Sequence, residues 1–155
     1  LDAIGYAHSK NIIHRDIKPE NLLLEKNGRI RILDFGVARS ETQKNTLTQA
    51  GLVVGTPWYM APERLKGEPA TVSSEIFAFG VTLYEILAGQ RPFAGDDFNV
   101  ILFQQPKPLR QIKPDCPPEL EVLILDCLNK NPANRPRTFA EIKNELAAIQ
   151  EKLKP

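Results

Sequence analysis

Cysteine and histidine are scarce in this chain, two of each among 155 residues, and none falls into the paired spacings of a zinc site. Cys116 and Cys127 are therefore read as reduced thiols of a cytoplasmic protein rather than as a disulfide. Excess charge of one sign is also missing: 20 Lys and Arg against 19 Asp and Glu leave a formal net charge of +1. That balance gives no general pull toward nucleic acid or an anionic membrane. No apolar run approaches the roughly 18 residues of a membrane span, and no charged-then-apolar leader precedes the domain. Repeats, low-complexity tracts and linkers are absent too, so one domain is expected. With 42% hydrophobic and 25% charged residues, the chain can bury a substantial core.

The pattern that is present predicts a mainly α fold with one small β-hairpin. Leu1, Ile4, Ala7 and His8 recur at helical spacing with no capping residue before them, so the chain is expected to begin inside a helix. Leu22 to Leu24 and the alternating run Arg29 to Leu33 flank Asn27-Gly28, a strong hairpin-turn signal. Residues 40 to 50 are polar and without period, the mark of a mobile loop. Residues 73 to 88 are apolar on nearly every side, which predicts a helix in the middle of the domain. Pro117-Pro118 should start a core-facing helix carrying Leu120, Val122, Leu123, Leu125 and Leu128. A capping box of Thr138 and Glu141 should start a last helix, with Phe139, Ile142, Leu146, Ile149 and Leu153 as its apolar stripe.

The run His14-Arg15-Asp16-Ile17-Lys18-Pro19-Glu20-Asn21, followed by Asp34-Phe35-Gly36, sets a base, a cation and two oxygen ligands at fixed spacing. Phosphoryl transfer asks for strict positioning, neutralisation of charge by metal ions, and a group that orients the attacking hydroxyl. Asp16 suits the role of base, and Lys18 can reach a transferring phosphate. Asn21 and Asp34 offer the hard oxygens that Mg²⁺ prefers. The hairpin should hold Asn21 on one side and deliver Asp34 on the other.

Together with Gly55-Thr56-Pro57-Trp58-Tyr59-Met60-Ala61-Pro62-Glu63, these motifs resemble the C-terminal lobe of the eukaryotic-type (Hanks-type) Ser/Thr protein kinases, from the first residue to about residue 150. The resemblance implies ATP and Mg²⁺ as cofactors and protein Ser or Thr hydroxyls as substrates, with neither nucleic acid nor membrane as a partner of this segment. It divides residues 1–152 into a catalytic loop (14–21), an activation segment (34–63) and a helical subdomain (64–152). It makes Asp16 the catalytic base, Asn21 and Asp34 the metal ligands, and Leu23 the floor beneath the adenine. Lys18 and Thr56 resemble the Ser/Thr-directed branch. Arg15 before Asp16 resembles kinases whose activation loop is held by a phosphate, with Thr46 and Thr48 the best acceptors and Ser40 and Thr42 behind them. His14 is structural, its ring packed beneath Phe35. Glu63 and Arg135 form an architectural ion pair, which costs roughly 3 to 5 kcal/mol to break.

Trp58 and Tyr59 could line a substrate groove or simply pack. Lys10, Lys26, Arg29 and Arg31 read as solvated charges, and Lys107, Arg110 and Lys113 as a solvated loop rather than a docking surface. Two features depart from the family pattern. Residues 1–13 hold no glycine-rich loop, no phosphate-clamping lysine and no acidic partner for it, so the chain alone is expected to be inactive. Glu75 stands where the family usually has an aspartate that accepts hydrogen bonds from the backbone around His14 and Arg15. Its extra methylene displaces the carboxylate by more than about 1 Å unless the helix shifts, and a Glu75→Asp change that raised the activity of the complete protein would show that strain. The rival reading is a noncatalytic interaction module that binds proteins through its helical face. A small-molecule phosphotransferase of related fold is disfavoured by the peptide-groove segment Thr56 to Glu63.

Overall fold

A computed structural model describes residues 1–33 and 57–154. Asp34, Phe35 and Gly36, the candidate acceptors Ser40, Thr42, Thr46 and Thr48, and Thr56 lie outside the described residues. In chain order the elements are α1 (Asp2–Ser9), β1 (Leu22–Leu24), β2 (Ile30–Ile32), α2 (Pro62–Leu65), α3 (Val72–Ala88), α4 (Val100–Phe103), α5 (Pro118–Cys127) and α6 (Phe139–Lys152). Short 3₁₀ turns occur at Pro19–Asn21, Pro57–Tyr59, Leu109–Gln111 and Pro132–Asn134. The fold is mostly helical with one antiparallel hairpin.

The hairpin pairs Leu22 with Ile32, Leu23 with Arg31 and Leu24 with Ile30. Its turn is closed by Gly28 N–H donating to Glu25 O (2.9 Å) and Glu25 N–H donating to Arg29 O (2.8 Å). Lys26-Asn27-Gly28 is thus a three-residue loop, and it needs Gly28 in the left-handed region at φ 81°, which a residue without Cβ adopts freely. Leu24 and Ile30 are 69% and 64% exposed, so the hairpin presents an apolar face.

α3 is the hub. Ile76 joins a cluster with Ile4, Ile17, Leu123, Cys127, Phe139, Ile142 and Ile149. Its neighbour Phe77, with Val81 and Tyr84, joins the other cluster, around Phe93, Ile101, Leu109, Ile124 and Leu128. Both Cys116 and Cys127 are buried free thiols. The absence of a clean stripe in residues 73 to 88 follows, because the helix is packed from two sides. In its C-terminal turn Ile86 faces solvent, 56% exposed, while Leu87 and Ala88 pack against the second cluster.

Other stripe residues fall outside the core. Val122 and Leu153 are mostly exposed: Val122 lies off the buried face of α5 formed by Leu123, Ile124 and Cys127, and Leu153 continues the α6 stripe but stands at the residue where that helix ends. A second box starts α3: Thr71 Oγ1 accepts from Ser74 N–H (3.2 Å) and Ser74 Oγ accepts from Thr71 N–H (2.9 Å). Serine in place of the usual Glu or Gln conceals it in the sequence. At α6 the expected box is shifted by one residue. Thr138 Oγ1 accepts from Glu141 N–H, but Glu141 Oε2 accepts from Arg137 N–H rather than from Thr138.

Gly80 lets α3 and α5 approach. A Cβ there would lie 2.8 Å from Cys127 Cβ and 3.3 Å from two carbons of Leu128, far inside contact distance. Both neighbours are fixed in the core, so Gly80→Ala should lower stability by about 1–3 kcal/mol despite the better helix propensity of alanine. A urea unfolding midpoint equal to the parent's would refute this.

Candidate active site

The candidate catalytic loop, residues 14–21, is set by contacts to α3 and to the residue after β2. His14 is 1% exposed. Its Nδ1 accepts from Asp16 N–H and its Nε2 lies 3.3 Å from Leu33 O. With Nδ1 acting as acceptor, Nε2 carries the proton and donates to the carbonyl. His14 therefore ties the loop to the end of β2, a structural role. Arg15 adopts φ 70°, a left-handed conformation that costs a non-glycine residue about 1–2 kcal/mol. Its N–H donates to Glu75 Oε1 at 2.5 Å, which holds the peptide in that conformation. Ile17 is buried, and Thr82 Oγ1 on α3 lies 3.5 Å from its carbonyl. Pro19 keeps Lys18 extended at φ −162° and opens the turn that ends on Asn21.

Two side chains meet Asp16. Asn21 Nδ2 donates to Asp16 O (2.7 Å) and Asp16 Oδ2 (2.9 Å), and Lys18 Nζ lies 3.2 Å from the same Oδ2. The Asp16 side chain is 28% exposed, so a substrate hydroxyl can reach it. Because Asn21 spends its NH₂ on Asp16, a metal would find its amide carbonyl oxygen. Leu33 N–H donates to Asn21 O (2.8 Å), extending the hairpin register by one pair up to the residue before Asp34. Leu23 is 48% exposed on this hairpin, open to a flat apolar ligand.

Glu75 does reach the catalytic loop. While Oε1 takes the Arg15 amide, Oε2 lies 2.6 Å from His8 Nε2 on α1. Sequence reading missed His8, although one signal was available. A histidine on the core stripe of α1 and a lone acid at the buried start of α3 each need a polar partner.

Glu63 and Arg135 form a bidentate pair, Nη1 to Oε1 at 2.7 Å and Nη2 to Oε2 at 2.9 Å. The arginine side chain has no exposed surface. It also donates to the carbonyls of Asn129, Ser73 and Lys130, tying α2 to the start of α3 and to the loop before α6.

Tyr59 is buried and donates its hydroxyl to Glu85 Oε2 (2.6 Å). Burial, and after it the Glu85 carboxylate, raise its phenol well above the ordinary tyrosine range, so the donor keeps its proton. Trp58 is half-buried with the Arg91 guanidinium 4.0 Å from its ring centroid. Both aromatic residues are packing elements. Near the catalytic loop, burial and then repulsion from Arg15 lower the Arg64 guanidinium from its ordinary value, so two guanidinium groups share this region. Arg31 pairs with Glu25 at 2.5 Å on the exposed hairpin.

Comparison with known proteins agrees with this geometry. The protein kinase domain family matches residues 1–146. The chain is 38% identical to the serine/threonine-protein kinase PknB of Mycolicibacterium smegmatis, over 96% of its own length and 25% of that protein. It is 38% identical to PknA of Mycobacterium tuberculosis, over 99% of the chain and 36% of the relative. It is 39% identical to the serine/threonine-protein kinase pkn3 of Myxococcus xanthus, over 96% of the chain and 30% of the relative. The chain thus spans about a quarter to a third of the length of these curated relatives. A kinase-domain match across nearly all of the sequence, with Ser/Thr kinases as its relatives, shows that this chain belongs to the Hanks-type Ser/Thr protein kinase family.

Proposed function

We propose that the protein carrying this chain transfers the γ-phosphoryl group of ATP to Ser or Thr hydroxyls of protein substrates, with Asp16 orienting the attacking hydroxyl. The observation that carries this reading is the convergence of Lys18 and Asn21 on Asp16 Oδ2. Lys18 supplies a cation beside the transferring phosphate, and Asn21 fixes the carboxylate while retaining an oxygen for metal. Leu23 offers an apolar surface to the adenine.

Among the described residues no three His, Cys, Asp or Glu side chains cluster as a metal site. Mg²⁺ does not require one, since it takes one or two protein oxygens and fills its remaining positions with water and phosphate. Asn21 fits as one ligand, and Asp34, outside the described residues, is proposed as the other. When bound, Mg²⁺ neutralises charge on the phosphate oxygens.

The division into catalytic loop 14–21, activation segment 34–63 and helical subdomain 64–152 follows from the same reading. Arg15, with Arg64 nearby, is proposed to grip a phosphate on Thr46 or Thr48. Among the described residues no helix is long and apolar enough to cross a membrane, and we place the kinase segment in the cytoplasm.

The sequence contains no Gly-x-Gly, so these 155 residues lack the loop that closes over nucleotide phosphates in this family. The grip on ATP would have to come from other residues, and the chain alone should transfer no phosphate. Two measurements test the reading. The full-length protein should place labelled phosphate from Mg²⁺-ATP on Ser and Thr, and not on Tyr, of a mixed protein substrate. Calorimetry on the chain alone should show no micromolar Mg²⁺-ATP binding. A full-length protein that binds partners yet transfers no phosphate would support the noncatalytic interaction module instead.

A further inference from the structure

We propose that Lys130 is a site of acylation by thioester acyl donors such as acetyl-CoA, and that acylation there loosens the segment from Phe93 to Phe103. The inference does not depend on the kinase reading.

Two cations share one aromatic pair in the core. Phe77 and Phe93 are buried and stack with centroids 6.0 Å apart and planes 2° from parallel. The Arg135 guanidinium lies 5.0 Å from the Phe77 centroid, and Lys130 Nζ lies 3.7 Å from that of Phe93. Arg135 has Glu63 as its counter-ion, whereas no carboxylate among the described residues pairs with Lys130. Its Nζ donates instead to Ile101 O at 2.6 Å. A ring and a carbonyl hold an ammonium less firmly than a carboxylate does. Burial, and after it repulsion from Arg135, therefore lower this amine from the ordinary lysine value to about 8, which raises its neutral fraction near physiological pH.

Only the neutral amine is a nucleophile. With one N–H on Ile101 O and the negative face of the Phe93 ring on another side, the lone pair turns to the cleft that Lys130 lines. This cleft of about 340 Å³ is lined also by Gln105, Pro106, Leu125, Asp126, Leu128 and Asn129, which is room for a short acyl group. Asn129 Oδ1 accepts from Asn131 N–H at 3.0 Å, which leaves its NH₂ to donate to an acyl oxygen. Asp126 is the other titratable group on the wall, and burial raises its carboxyl. In the step itself Nζ attacks the thioester carbonyl carbon, a C–N bond forms and the C–S bond breaks. The thiolate leaves, and the nitrogen gives one proton to water. The amide product keeps an N–H for Ile101 O but has no charge for Phe93, so the segment that carries Phe93 and α4 loses one of its two attachments to Lys130.

The test treats the folded full-length protein with acetyl-CoA over a range of pH and follows each lysine by mass spectrometry. At about pH 7.5 Lys130 should be acetylated about tenfold faster than the exposed Lys26 and Lys66, because its larger neutral fraction outweighs its lower intrinsic nucleophilicity and its burial. Its rate should level off at about pH 8 to 9, while theirs keep rising past about pH 10. Hydrogen exchange over residues 93–103 should rise about tenfold in the acetylated protein and in Lys130→Gln. It should stay parental in Lys130→Arg, which keeps a cation on the ring. Acetylation of Lys130 no faster than that of the exposed lysines would overturn the site, as would a rate that climbs with pH as theirs do. Parental exchange over residues 93–103 in both the acetylated protein and Lys130→Gln would overturn the link to α4. So would a Lys130→Arg variant as loose as Lys130→Gln, since the shape of the side chain and not its charge would then hold the segment.

Discussion

Asp16→Asn should lower the kcat of the full-length protein by about 10²- to 10⁴-fold, the range associated with a positioned acid–base group, and leave the KM for ATP nearly unchanged. The substitution removes charge while preserving shape. An asparagine oxygen at this position can still accept from Asn21, which lies 2.9 Å from Oδ2 in the parent, so the loop should keep its course. Lys18, 3.2 Å from the same oxygen, loses its counter-charge but remains partly solvated. What disappears is the anionic acceptor proposed for the hydroxyl proton. That interaction belongs to the transition state, so the loss should appear in kcat and in kcat/KM equally. Single-turnover rates at saturating Mg²⁺-ATP would check it, alongside a thermal midpoint within a degree or two of the parent's. A variant that transferred phosphate within threefold of the parental rate would remove Asp16 from the chemistry and leave Lys18 and Asn21 as a structural cluster.

How much of this site was legible in sequence depends on how local its determinants are. Spacing alone brought Asp16, Lys18 and Asn21 together, because Pro19 and a single 3₁₀ turn fold them back on one another. The hairpin itself was equally accessible from Asn27-Gly28 and the alternating strands, but its register was not: a two-residue Asn27-Gly28 turn would pair Leu24 with Arg31, whereas the three-residue loop pairs it with Ile30. α3 announced its burial by lacking a polar face. What stayed hidden were contacts whose partners are distant and chemically ambiguous. His8 meets Glu75 67 positions away, and nothing local distinguishes that histidine from one packed for its ring alone. Tyr59 and Trp58 found their partners, Glu85 and Arg91, on and just beyond α3. Stripe membership failed at Val122 and Leu153 for a related reason: periodicity gives the face of a helix but not the extent of what covers it.

Arg135→Ala should be the most destabilising single substitution in the chain, by about 3–5 kcal/mol, against a total stability of about 5–15 kcal/mol for a domain. Most of a cooperative transition could be lost at 37 °C. The cost arises on both sides of the pair. Glu63, 8% exposed, would keep its charge with the bidentate partner gone, and the carbonyls of Asn129, Ser73 and Lys130 would lose a donor. The guanidinium also lies 5.0 Å from the Phe77 ring centroid, so packing against the core is lost as well. Removing the other partner should cost less, because in Glu63→Ala the arginine retains those three carbonyls. Glu63→Gln should cost least, about 1–3 kcal/mol, since it preserves shape and one acceptor. Urea midpoints for the three variants should therefore fall in the order Glu63→Gln, Glu63→Ala, Arg135→Ala. A reversed order would mean that the carbonyl contacts contribute little and the ion pair alone carries the energy. If the predicted order is found, Arg135 is a hub joining α2, α3 and the Pro132–Asn134 turn. Segment 57–65, which carries Trp58, Tyr59 and Glu63, would then be held beside the catalytic loop from below rather than by its own sequence.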